Sequence, residues 1–233
     1  MRYPKLKPPS VVPLGDCAAY VEFAQELDLE VNSLVQRLAA AVHARGAAWI
    51  TDVVPALGGL ALHFDPDHPE TGGDAFKAAA ELIDDCLKKR LPDAADVTRT
   101  IDVPVCYDPE FAPDLDEVAA KKGISREEVV ALHAAAEYRV LMIGFAPGHA
   151  YMGGLDRRLA VPRRATPRAL VPSGSVAIAN QQTVVYPYAI SGGWSVIGRT
   201  PLAVFDAGRQ EPSLFATGDR VRFRPITKAE FSR

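Results

Sequence analysis

No apolar run in this chain approaches the ~18 residues needed to cross a bilayer, so a membrane is not an expected partner. The amino-terminal stretch MRYPKLKPPS is basic but has no apolar segment behind it, and it does not read as a signal peptide. Cysteine is scarce. Cys17, Cys86 and Cys106 stand far apart without a CxxC pair, which argues against a disulfide framework and suits a reducing cytoplasm. GxxxxGK[ST], GxSxG and HExxH are all missing, which excludes a Walker-type nucleotide loop, a nucleophile elbow and a zincin helix. Cations are not interleaved with stacking aromatics, so nucleic acid is not expected to bind. His43, His63, His68 and His133 are scattered. The one segment with metal-like spacing, HFDPDH, contains Pro66, precedes Pro69 and reads as a turn, so no metal site is expected.

What remains is a globular composition, 48% hydrophobic and 24% charged, with a net charge of only −3. The charge is unevenly placed: residues 1–138 hold 13 Lys and Arg against 24 Asp and Glu, and residues 139–233 hold 13 against 5. In the later part every cation except Lys228 is an arginine, whose rigid fork of donors suits carboxylate or phosphate.

Apolar periodicity organises the first part. Val31, Leu34, Val35, Leu38 and Val42 share a helical face ended by Gly46. Phe76, Ala80, Ile83 and Leu87 repeat the pattern, closed by Lys88, Lys89, Arg90 and Pro92. WITDVV (49–54) and GGLALHF (58–64) form a hairpin between them, and AAYVEF (18–23) and VTRTIDVPVCY (97–107) bracket the set. The order strand, helix, hairpin, helix, strand predicts an α+β domain of ferredoxin-like sandwich type. Helical patterns return around residues 115–120 and after Ser125, whose SREE reads as a helix start. Beyond Tyr138 glycine and proline punctuate short β-rich pieces, YRVLMI, SVAIA, TVVY, WSVIG, LAVF and RVRFR, which predicts a β-barrel. The expected domains are therefore 1–138 and 139–233.

Three polar groups fall within the predicted barrel. GFAPGHAYMGGL (144–155) places His149 and Tyr151 among Gly144, Gly148, Gly153 and Gly154, which suits either a sharp turn or a close backbone approach to an anion. Asn180, Gln181, Gln182 and Thr183 are either a hairpin turn or polar lining. SGGW leads through Trp194 to GRTP and Arg199, as a pocket wall or as core and surface. Barrels gather loops at one mouth, and a shared small-molecule pocket is expected there.

GFAPGHAYMGGLDRRLAVPRRATPR, VPSGSVAIANQQT, VVYP, GGW and IGRTPLAVFD, with DVPVCYDPEFAPDLDEVA earlier, resemble in order and spacing the family of the 5-oxoprolinase B subunit. That family is also known as allophanate hydrolase subunit 1 and includes sporulation-kinase inhibitors. The resemblance implies an α+β domain followed by a cyclophilin-like β-barrel. It implies ATP-dependent opening of a cyclic amide, 5-oxoproline to glutamate, by a complex with homologues of the C and A subunits. ATP, with a divalent cation, is then bound by the complex, and the chain alone is inactive. By residue type at the matching motifs, Arg163, Arg164, Arg168 and Arg199 would hold phosphate or carboxylate, Gln182 and Thr183 the amide, and His149 or Tyr151 would move a proton. The family also implies two other roles, a carboxyltransferase component of a urea carboxylase system and a histidine-kinase inhibitor. His149-Ala150 stands where the family usually has Phe-Pro, and Ser191 where it has proline.

Overall fold

The computed structural model describes residues 10–92 and 99–232. MRYPKLKPP (1–9) and the first two residues of the strand expected at 97–107 lie outside the described residues. The chain divides into two compact units, 1–96 and 97–233.

The first unit is a four-stranded antiparallel sheet with two helices. In chain order the elements are β1 (Val11–Pro13), β2 (Ala18–Glu22), α1 (Leu29–His43), β3 (Ile50–Pro55), β4 (Gly59–Phe64) and α2 (Ala75–Lys88). Asp28 starts α1 by accepting the N–H groups of Glu30 and Val31 at 2.8 and 3.1 Å. The predicted stripe on α1 is buried with Leu60, Leu62 and Phe64 of β4 and with Ala79 and Ile83 of α2. Asn32, inside that stripe, is fully buried. Its amide donates to the Ala56 and Leu57 carbonyls, which ties the helix to the β3–β4 turn. The HFDPDH segment is a turn: Asp65 accepts from Asp67 N–H, and His68 caps a short 3₁₀ helix at Pro69–Thr71.

The strand expected to complete this sheet does not join it. The sheet order is β1-β2-β4-β3, and the short β1 occupies the edge beside β2 where the last ferredoxin-like strand would lie. The segment expected there is β5 (Thr100–Cys106), and it runs parallel to β13 in the second unit. Val103 and Val105 give the reason, because both are buried in the core of the barrel.

The second unit continues with α3 (Leu115–Lys122), α4 (Arg126–Ala135), β6 (Tyr138–Ile143), β7 (Ala150–Gly153), β8 (Arg168–Val171), β9 (Ser175–Ala179), β10 (Gln182–Val185), β11 (Ile190–Gly192), β12 (Ser195–Arg199), β13 (Arg220–Ile226) and α5 (Lys228–Phe231). Seven strands close in the order β10-β7-β6-β13-β5-β12-β9, and β8 and β11 pair as a separate two-stranded sheet. LAVF, expected as a strand, makes only an isolated bridge from Phe205 to Ser213. Leu115, Val118 and Ala119 of α3 and Val129 of α4 share the barrel's core. Residues 97–138 therefore belong with the barrel, and the boundary expected near 138 lies at 96/97. At that boundary the charge contrast shrinks to −6 for residues 1–96 and +3 for 97–233. Among the described residues no helix is long and apolar enough to cross a membrane.

Candidate functional site

Strand alternation gives the barrel two apolar faces. Val176 and Ile178 of β9 and Val185 of β10 point inward with Met152 and Ile197. Their neighbours Ala177, Ala179 and Val184 point outward and form a second cluster with Val171, Tyr186, Trp194 and Val196. Tyr151 and Ile190 pack against this outer cluster. His149, Tyr151, Trp194 and Arg163 meet here, on the outside of the barrel beside β8 and β11, whereas Arg199, Gln182 and Thr183 do not join them.

The centre of the site is His149, 2% exposed. Its ring meets Phe145 edge-on at 5.4 Å, Tyr151 tilted at 4.9 Å and Tyr186 edge-on at 5.4 Å. Tyr151 in turn meets Trp194 at 5.9 Å, and the Arg163 guanidinium lies 5.6 Å above the Trp194 ring. Burial lowers the His149 pKa to about 4, which keeps the imidazole neutral near pH 7 and unsuited to serve as a standing acid. Burial raises Tyr151 and Tyr186, and the nearby Arg163 charge partly offsets this at both. Among the described residues no other residue bonds the buried His149 Nδ1, and a hydrogen bond of the ring to the His149 backbone partly offsets the pKa drop.

The glycines serve this packing. Gly148, at φ +75°, leaves room for Phe205, whose atoms lie 2.7 Å from where a Cβ would sit. Gly192 makes room for the Tyr186 hydroxyl, 2.1 Å from its own absent Cβ. Gly154, at φ +108°, is closed against the Glu137 carbonyl at 2.7 Å. The space these residues create is filled by protein, so the loop is a packed turn and not an open cradle for an anion. Gly153 lies in β7 opposite Gln182.

The predicted arginines separate. Arg168 forms two hydrogen bonds to Asp114, at 2.6 and 2.7 Å, and Arg164 binds Asp114 and Glu117, each at 2.9 Å. Asp114 also accepts the Val196 N–H at 2.7 Å. Arg199 donates to the Ser173 carbonyl at 2.8 Å and sits over Phe231, away from the aromatic group. Arg163 forms no ion pair with a carboxylate among the described residues. The backbone explains the contrast: Arg164 N–H is fixed to the Gly193 carbonyl at 2.7 Å and its side chain goes to Asp114, while Arg163 is left at the aromatic group.

Gln182 and Thr183 part by the same alternation. Thr183 faces inward, its hydroxyl 3.2 Å from both the Ala177 carbonyl and His133 Nε2, while His133 Nδ1 lies 2.8 Å from the Tyr107 hydroxyl. With Tyr107 donating to His133 Nδ1 and Thr183 donating to the Ala177 carbonyl, the imidazole proton belongs on Nε2. His133, passed over in the sequence as a scattered histidine, is thus the buried link of an internal chain. Burial depresses its pKa to about 3. Gln182 faces outward, and its buried Nε2 has no hydrogen-bond partner among the described residues. It opposes Gly153, whereas Tyr186 lies four residues further on, beside His149. At ~3.3 Å per residue Gln182 is about 13 Å along the strand from that position.

A separate cleft of about 480 Å³ lies where β5, α4 and β13 meet, lined by Tyr107, Arg126, Val130, Pro225 and Ile226 among others. It includes none of the candidate site residues drawn from the sequence. Among the described residues no group of three or more His, Cys, Asp or Glu is placed to hold a metal ion. The site also does not fit a nucleotide phosphate chain: Arg164 and Arg168 are occupied by Asp114, and the glycine turns are closed by protein atoms.

The family description "Carboxyltransferase domain, subdomain C and D" matches residues 9–215. The B subunit of 5-oxoprolinase from Bacillus subtilis (strain 168) is 37% identical over 223 residues, covering 94% of this chain and 93% of its own. The crystal structure of TTHA0988 superimposes with a TM-score of 0.77 at 35% identity over 90% of this chain, which spans only 40% of that longer chain. Kluyveromyces lactis urea carboxylase shares the fold, with a TM-score of 0.75 at 20% identity over 96% of this chain and 22% of its own. The chain belongs to the carboxyltransferase subdomain C and D family, together with the 5-oxoprolinase B subunit.

Proposed function

We propose that this chain is the B-type subunit of an ATP-dependent 5-oxoprolinase, and that its outer-face aromatic cluster contributes to binding the cyclic amide. The observation that carries the reading is the 37% identity to a 5-oxoprolinase B subunit along nearly the whole of both chains. The residue types of this cluster suit a small, flat, carboxylated ring. Tyr151, Tyr186 and Trp194 supply flat apolar walls, and Arg163, with no carboxylate partner among the described residues, supplies a cation for the ligand's carboxylate. The nucleotide and its divalent cation are assigned to the partners, homologues of the C and A subunits, in a cytoplasmic complex. The role of this chain is to bind and orient the amide and to exclude water from it. The test is reconstitution with the C and A subunits, measuring ATP hydrolysis with and without 5-oxoproline. Stimulation by 5-oxoproline supports the reading, and an assembled complex indifferent to it defeats the reading.

The carboxyltransferase description of the family favours a second reading, a carboxyl-transfer component of a urea carboxylase-like system. Biotin-dependent activity in the reconstituted complex, absent with 5-oxoproline and ATP alone, would select it.

A further inference from the structure

The cleft of about 480 Å³ where β5, α4 and β13 meet plays no part in holding the amide, yet the motif DVPVCYDPEFAPDLDEVA lines it. Tyr107, Asp108 and Leu115 of that motif share the lining with Val130 and Ala131 of α4 and Ile226 of β13. The cleft is preformed. The Tyr107 hydroxyl is fixed to His133 Nδ1 at 2.8 Å, and the Tyr107 carbonyl accepts from Arg126 Nη2 at 3.2 Å. It is also open, because Pro109, Ala131 and Pro225 on its rim are exposed. Small-molecule sites enclose most of their ligand. An open, rigid cleft suits an anchor side chain from a partner, whose surrounding surface then excludes water.

Charge selects what enters. Arg126 is engaged, with Nη1 on Asp116 at 2.6 Å as well as Nη2 on the Tyr107 carbonyl. Lys228, just beyond Ile226, is taken by Glu110, and Arg224 by Asp102 at 2.8 Å. The half-buried Asp108 carboxylate makes no hydrogen bond or ion pair among the described residues. Glu127, also in the lining, is held ionised by hydrogen bonds from its own N–H and from Ser125. The fold therefore leaves negative charge uncompensated beside apolar walls. An anion is repelled there, and an apolar group would strip water from Asp108 and leave it unpaired. A cation on an apolar stem satisfies both features. Arginine suits them best, with its stem along Leu115, Val130 and Ile226 and its fork of donors on the carboxylate.

A relative indicates where such a side chain comes from. The part of TTHA0988 that this chain matches is 40% of that chain, so there the fold is joined to further polypeptide. We propose that the cleft is a docking site for the C-type partner, which inserts a basic side chain against Asp108 with its stem on the apolar walls. This rests on the reading of the chain as a B-type subunit.

The test uses the full chain and the purified C-type homologue. Asp108→Asn should weaken their equilibrium binding about tenfold or more and flatten its dependence on salt. Ala131→Tyr fills the cleft from an exposed position on α4 and should weaken binding at least as much, with thermal unfolding of each variant alone close to wild type. A photoactivatable residue at Pro109 should label a partner peptide that contains Arg or Lys. Changing that residue to Glu should abolish binding to the wild type and restore it to Asp108→Arg. Unchanged binding in both cleft variants, a labelled peptide without Arg or Lys, or labelling of a second copy of this chain overturns the inference and leaves the B-subunit reading standing. Failure of the wild type to bind the C-type homologue at all overturns that reading as well.

Discussion

Arg168 binds Asp114 through both terminal nitrogens, 54 residues away in the chain, and this contact determines which arginine is available at the site. Asp114 is 2% exposed and also receives Arg164 and the Val196 N–H. One buried carboxylate thus occupies two of the four predicted anion-binding arginines and anchors β12 to the start of α3. Asp114→Asn should lower barrel stability by roughly 2–4 kcal/mol, below the full cost of breaking a buried pair because both arginines keep partial access to water. Urea unfolding followed by Trp194 fluorescence in a Trp49→Phe background measures this, and a change under about 1 kcal/mol would contradict the anchoring role.

Arg163 should behave in the opposite way. Arg163→Ala removes a stacked, exposed side chain without an ion pair among the described residues, and stability should change by no more than about 1 kcal/mol. Binding of 5-oxoproline to the reconstituted complex should weaken about tenfold or more as the carboxylate loses its cation. Arg168→Ala, in contrast, should destabilise the barrel.

Gln182 and Thr183 adjoin in sequence but face opposite sides of β10. Thr183→Val should cost about 1–3 kcal/mol, because it strands the His133 Nε2 proton inside the barrel. Gln182→Met should be neutral or stabilising, because its buried Nε2 has no partner to lose among the described residues. Denaturant midpoints of the two variants, compared side by side, test the assignment of faces. A reversed order would refute it.

Acid should destabilise the barrel through both buried histidines. The unfolded chain titrates near 6.5, while burial depresses His133 to about 3 and His149 to about 4. The unfolded state therefore takes up protons first as pH falls. The stability these groups contribute is complete above about pH 6.5 and is lost as pH falls through the window down to their folded values. Each histidine adds a slope of about 1.4 kcal/mol per pH unit within its window. His149→Phe should remove one proton from the slope measured between about pH 6 and pH 5. An unchanged slope would show that His149 is not held neutral by burial.

The local elements were legible because their causes are local. The stripe from Val31 to Val42 predicts α1, Ser125 marks the start of α4 and accepts from the Glu128 N–H at 3.1 Å, and YRVLMI, SVAIA, TVVY, WSVIG and RVRFR coincide with strands, whereas β7, β8 and β11 carry no such pattern. The family motifs were equally legible, and the glycines in them mark close packing, as at Gly148 and Gly192. LAVF reads as a strand but is not one, because an apolar tetrapeptide carries the same pattern whether it joins a ladder or only packs, as Phe205 packs on Gly148.

The sequence by itself determined the helices, most strands, the family and the set of residues from which a site is drawn, because periodicity, caps and motif spacing act over a few residues. Only the tertiary structure decided that β5 enters the barrel, since its alternation shows that Val103 and Val105 need a core but not which one. Only the tertiary structure left Arg163 at the aromatic group while Asp114 engaged Arg164 and Arg168, turned Thr183 inward to His133, and buried His149 among aromatic rings. Each of those outcomes depends on a partner tens of residues away or on the face a strand presents, and both are set when the barrel closes.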